Sequence, residues 1–123
     1  AELARIAVME LLPAAVEGRF DAFAAAVHRY GRLAGKPFEP ASAGVSHAEI
    51  TARLITSLAE LGVAGAAQSS WGPTVMACAP SAAEADAALA RFAGTDLAAC
   101  YDVQAALFDG TGAVVRDVAS AGG

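Results

Sequence analysis

An α+β domain, with an antiparallel sheet and helices packed on one face, is the fold class that the sequence predicts. Three observations carry it. Four stretches have apolar residues at helical spacing. Two pairs of short β-like runs flank tight polar connections, Ser69-Ser70-Trp71-Gly72-Pro73 and Asp109-Gly110-Thr111-Gly112. A Ser-x-x-Glu capping box occurs twice, at Ser46/Glu49 and at Ser81/Glu84. The order is helix, helix, helix, hairpin, helix, hairpin, which suits helices layered on an antiparallel sheet.

Residues 2–17 read as the first helix, with Leu3, Ile6, Ala7, Leu11 and Ala14 inward. Pro13 lacks an N–H and so predicts a kink or a fresh start near Leu12, and Gly18 supplies a stop. The second helix runs from Arg19 to about Leu33, with Phe20, Phe23, Ala24, Val27 and Tyr30 as a narrow apolar stripe. Residues 35–44 form the longest evident loop, rich in Gly, Pro and small side chains. The third helix opens at Ser46, buries Ile50, Leu54, Leu58 and Leu61, and stops at Gly62. Val63–Gln68 and Thr74–Ala79 make the first strand pair. Ser81 then caps a fourth helix, with Ala85, Ala88, Leu89 and Phe92 inward and Gly94 at its end. Cys100–Phe108 and Ala113–Val118 complete the predicted sheet, and the tail from Ser120 is expected to fray.

The length of 123 residues suits one domain spanning 1–123 with one core. That core is expected to be unusual, because 34 of the residues are alanine. Alanine favours helix and close packing and adds little apolar area, so the few large side chains, Phe20, Phe23, Phe92 and Phe108 among them, should each matter. A net charge of −5 argues against nucleic acid as a partner. No apolar run is long enough to span a bilayer. With no basic segment leading into an apolar stretch, and no initiating Met, the sequence reads as a cytoplasmic domain excised from a longer protein. Cys78 and Cys100 each sit in an apolar segment and read as reduced core residues, with a disulfide or metal pair as the other reading.

HExxH, CxxC, GxxxxGK[ST] and GxSxG are all absent. His28 reads as a helix-surface residue and His47 as a solvated first-turn residue. The cluster Arg29, Arg32 and Lys36 reads as cations favoured at a helix C-terminus, or else as an attractor for a phosphorylated substrate. The segment Leu61–Thr74 is different. It gathers small residues, an amide, two serine hydroxyls with Thr74 at its end, and the sole tryptophan, Trp71, into one loop. Small residues let backbone approach a ligand, successive N–H groups can cradle an anion, and Ser and Gln add donors. The residues alone leave two readings open, an anion cradle and a β-turn with a packed Trp.

The segment Gln68-Ser69-Ser70-Trp71-Gly72-Pro73-Thr74 resembles the QSSWGPT signature of the β-ribofuranosylaminobenzene 5'-phosphate synthases, a branch of the GHMP kinase superfamily. It also looks like the third conserved motif of the GHMP small-molecule kinases. Leu11-Leu12-Pro13-Ala14, Glu17-Gly18, Arg32-Leu33 and Gly35 before Phe38 extend the resemblance, which covers most of residues 3 to 95. It implies a ferredoxin-like C-terminal domain, whose partner, an N-terminal ribosomal-S5-like domain, is absent from this chain. The implied reaction joins phosphoribosyl pyrophosphate to a para-substituted benzoate, with loss of carbon dioxide and pyrophosphate, in methanopterin biosynthesis. The implied substrate-binding residues are Gln68, Ser69, Ser70, Trp71, Gly72 and Thr74. The implied partner is a phosphorylated small molecule in the full-length protein, and a homodimer is compatible with the reading. The resemblance assigns no cofactor or metal to this chain, allows Mg2+ in the parent enzyme, and leaves the catalytic residues unassigned. The isolated domain is expected to be inactive. An ATP-dependent GHMP kinase and a non-catalytic ferredoxin-like binding module are the alternatives.

Overall fold

The computed structural model describes residues 1–35, 47–69, 74–108 and 110–112. The chain begins with helix α1 (Glu2–Ile6), a π-helical turn (Ala7–Leu11) and α2 (Leu12–Val16). The torsions at both junctions stay right-handed, so the three pieces form one rod. The π turn has a local cause. Pro13 stands at the start of α2 and cannot donate to the preceding turn, and the Leu12 N–H reaches back five residues to the Ala7 carbonyl. The kink or fresh start expected near Leu12 thus takes the form of a π turn within a continuous rod.

The rod ends as expected at Gly18, where φ is +66°. Arg19 N–H donates to the Ala14 carbonyl at 2.9 Å and Gly18 N–H to the Ala15 carbonyl at 3.3 Å, a Schellman closure that needs the left-handed residue. Helix α3 (Phe20–Gly35) follows immediately, and α4 spans His47–Glu60. The end of α4 repeats the device: Val63 N–H donates to Leu58 O at 2.9 Å and Gly62 N–H to Ala59 O at 3.0 Å. Arg91 of a later helix adds a hydrogen bond from Nε to the Leu61 carbonyl at 3.2 Å, placing a cation at the negative end of α4.

Strands β1 (Ala64–Gln68) and β2 (Val75–Cys78) pair antiparallel. Helices α3 and α4 both pack on β1. Helix α5 (Ala82–Ala93) carries the predicted cap: Ser81 Oγ accepts from the Glu84 N–H at 3.2 Å. The Ser46/Glu49 box has its first member outside the described residues. After α5 a 3-10 turn covers Asp96–Cys100. Beyond it, Tyr101 is packed edge-on against Phe92, with ring centroids 6.5 Å apart.

Among the described residues, five of the nine buried apolar side chains are alanines, namely Ala14, Ala24, Ala26, Ala66 and Ala67. The core is therefore held by backbone approach more than by large side chains. The seam between α3 and β1 shows how close that approach is. A Cβ built on Gly31 would stand 2.6 Å from the Ala67 Cβ, and one built on Gly65 would stand 3.2 Å from the Ala24 Cα.

The α+β expectation holds, and three details of it change. Residues 99–100 belong to the 3-10 turn and 101–108 have no regular structure, so the third predicted strand is not formed. Tyr101 has extended torsions, but extended torsions make a strand only when a neighbour supplies the ladder, and none of the described residues does so. The alternation there also breaks at Ala105-Ala106-Leu107-Phe108. The fourth strand, 113–118, lies outside the described residues. Phe108, expected in the core, is consequently 81% exposed. The inward face of α4 keeps Leu54, Leu58 and Leu61 but starts one position later than predicted: Thr51 is buried and Ile50 is exposed. Thr51, Leu54, Leu58 and Leu61 keep helical spacing, so the periodicity admitted either stripe.

The seam generates a paired test. Gly31→Ala should lower stability by about 1–3 kcal/mol, because backbone must shift to admit the methyl group. Gly35→Ala, where nothing lies within 4 Å, should be neutral or stabilising by up to ~1 kcal/mol. Urea denaturation of both variants checks the difference. Loss of the α5 cap in Ser81→Ala should cost about 1 kcal/mol by the same measurement.

Candidate functional site

The sequence-predicted loop falls between β1 and β2 in the chain, and the geometry of this strand pair depends on an irregularity in β1. Ala64 pairs with Cys78, whereas Ala67 pairs with Met76 and Gln68 with Val75. Gly65 and Ala66 thus stand together opposite Ala77, a β-bulge with one extra residue on β1. Gly65 has φ +65°, which favours glycine. Space is tight as well, since a Cβ there would meet the Cys78 Sγ at 3.0 Å and the Ala24 Cα at 3.2 Å.

Past the bulge the hairpin narrows. Ser69 N–H donates to the Thr74 carbonyl at 2.9 Å, closing the base of a short loop. The structure thereby brings Gln68, Ser69 and Thr74 together at one end of the hairpin, all three exposed. Ser70, Trp71 and Gly72, with Pro73, lie outside the described residues.

His28 is the residue that sequence reasoning misplaced. It is half-buried on α3, and its Nδ1 lies 2.9 Å from the Ala66 carbonyl oxygen within the bulge. A carbonyl only accepts, so Nδ1 carries the hydrogen and donates. The small residues Ala24 and Gly31, one turn before it and nearly one turn after, were the available signal. They mark a helix face that runs against backbone, where a polar side chain can reach a main-chain group. The side chain of His47 is not among those described.

The basic cluster also divides. Arg29 Nη1 meets Glu10 Oε2 at 2.5 Å, and Arg29 Nη2 lies 4.0 Å from Glu2 Oε1. Arg5 bonds Glu2 at 2.8 Å and Glu10 at 3.0 Å, so four charges tie the first helical rod to α3. The Arg5 hydrogen bond holds the Glu2 carboxyl below its ordinary pKa. Its contribution to stability is therefore present above the unfolded carboxylate pKa and is lost as pH falls through the lower folded value. Arg32 is exposed and Lys36 lies outside the described residues.

Cys78 is buried and Cys100 exposed, and both are free thiols. The expectation that both lie in the core thus holds for Cys78 alone. Cys100 ends the 3-10 turn, where no strand carries it inward. Burial pushes the Cys78 thiol pKa up, which keeps it protonated and unreactive. Among the described residues, no three His, Cys, Asp or Glu side chains converge as metal ligands. An open depression of about 390 Å³ lies between α4 and the 3-10 turn, lined by both apolar and polar side chains, among them Leu97, Arg53, Glu60 and Asp96. It includes none of the predicted site residues.

Among the described residues, no helix is long and apolar enough to cross a membrane. No curated protein and no solved structure matched the chain. One family model did, that of the GHMP kinases C terminal, over residues 11–95. The match runs from the end of the π turn to just past α5 and includes the whole β1–β2 hairpin. It spans more than two thirds of the chain, and the α+β arrangement is consistent with the ferredoxin-like fold expected of such a domain. The chain belongs to the GHMP kinase C-terminal domain family.

Proposed function

We propose that this domain works within a longer enzyme, where the 68–74 loop meets the phosphate or pyrophosphate group of a small-molecule substrate. The observation that carries the reading is the closed hairpin base. The Ser69–Thr74 hydrogen bond sets Gln68, Ser69 and Thr74 at the mouth of the short segment that resembles the synthase signature. Serine hydroxyls, an amide and main-chain N–H groups suit phosphate oxygens, because anions are held best by several fixed donors. Trp71 would brace the loop or line a pocket for an aromatic acceptor.

The finer reading is a synthase that joins phosphoribosyl pyrophosphate to a para-substituted benzoate with decarboxylation. The Gln68–Thr74 resemblance supports it. In that reaction the loop's share is to position and neutralise charge, since the described residues offer no acid–base pair beside it. No step is assigned to a metal held by this chain. A second reading, an ATP-dependent kinase acting on a small alcohol, is favoured by the kinase membership of the matched family.

Kinetics of the parent protein separate these readings. Turnover of phosphoribosyl pyrophosphate with a benzoate acceptor is expected, and ATP consumption with an alcohol acceptor in its place would install the kinase reading. Ser70→Ala in the parent should remove one charge-assisted hydrogen bond of about 1.5–3 kcal/mol. That is roughly a tenfold to hundredfold fall in kcat/KM with little change in Tm. Unchanged kinetics with a lowered Tm would make the loop structural. This domain assayed alone should show no turnover.

A further inference from the structure

The α3–β1 seam is in register residue by residue. Ala24 lies against Gly65, His28 bonds Ala66, and Gly31 lies against Ala67. Two of these contacts are made by small groups that exclude anything larger. The middle one is a directed hydrogen bond, and its acceptor sits in the bulge.

That position matters for the loop. If the pairing of Ala64 with Cys78 continued without the extra residue, Gln68 would fall opposite Thr74 in place of Val75. The Ser69 N–H would then lose its bond to the Thr74 carbonyl, and the side chains beyond the bulge would exchange faces. A bulge in a two-stranded ribbon has little to hold it, because the ladder is interrupted where the extra residue stands. The constraints here are Gly65, which permits the torsion, and the Cys78 Sγ, 4.0 Å from the Gly65 carbonyl. The close packing of Ala24 and Gly31 on the strand adds to them, and His28 ties the Ala66 carbonyl to a helix.

We propose that His28 is a positioning residue. Its Nδ1–H bond to Ala66 pins the β1 bulge, sets the register of the hairpin, and so fixes how Gln68, Ser69 and Thr74 are presented. The effect on register stands on the hydrogen bond and the strand pairing. The consequence for a phosphate ligand rests on the proposed function.

Two variants test it. His28→Leu keeps much of the volume and removes the donor. His28→Asn keeps a donor at similar reach. Amide hydrogen exchange at Ser69 reads the loop base, and Leu54, buried on α4, serves as the reference. Binding of inorganic pyrophosphate, followed by the emission of Trp71, reads presentation. In His28→Leu, protection at Ser69 and pyrophosphate affinity should each fall by about tenfold, the scale of one lost hydrogen bond, with Leu54 unchanged. In His28→Asn both should stay near the wild-type values.

Undiminished Ser69 protection in His28→Leu would overturn the proposal, as would a uniform loss that includes Leu54. If the leucine variant does not fold, the imidazole ¹⁵N spectrum of the wild-type protein decides. A slowly exchanging proton on Nδ1 supports the assignment, and hydrogen on Nε2 alone overturns it. Failure of the wild-type chain to bind pyrophosphate would count against the functional reading, while exchange at Ser69 would still judge His28.

Discussion

The rest of this structure depends on how closely α3 can approach β1. With alanines forming most of the buried apolar set among the described residues, large side chains add little to the cohesion of the chain. It relies on many short contacts between backbone-proximal atoms, each weak but numerous when two elements come near enough. Ala24, Gly31, Gly65 and Ala67 permit that approach. An added methyl group at Gly31 would meet backbone-fixed atoms, which cannot rotate aside. Such a seam tolerates little error, so what it presents at its far end, the hairpin base, is held in one arrangement.

Around the seam the other interactions act as fasteners. Two Schellman closures end the rod and α4, each with a left-handed glycine where the helix must stop abruptly. The charges Glu2, Arg5, Glu10 and Arg29 tie the rod to α3. They are too exposed to contribute much individually, and their use is to favour one docking of the two helical pieces. Arg91 links α5 to the end of α4. The 3-10 turn and Tyr101 then pack on Phe92, the one aromatic residue in the buried core among the described residues.

What was legible in the sequence followed local chemistry. Gly18 and Gly62 read as stops because the residue closing a helix needs a positive φ, and Ser81 read as a cap because its hydroxyl has a nearby N–H to satisfy. The first hairpin read as two strands because its β-like runs flank a turn-forming segment. Features that depend on distant partners were not legible. Whether 101–108 becomes a strand depends on a neighbour, and Phe108 with it. Ile50 and Thr51 compete for one inward position that periodicity cannot assign. His28 looks solvated until β1 is laid across it, and Cys100 looks buried until the turn that carries it is seen. Of the candidate site, the sequence located the loop and the structure added its base and its bulge. It also supplied the histidine behind them, which no motif contains.

The seam can be measured without altering a residue. Nuclear Overhauser contacts in the wild-type protein report which protons lie against one another across α3 and β1. The account predicts strong contacts from the Gly31 α-protons to the Ala67 methyl and from the Ala24 α-proton to the Gly65 α-protons. If those contacts are missing and the Gly31 amide and α-protons behave as solvent-facing, α3 does not lie on β1 as described, and the argument built on that approach is wrong.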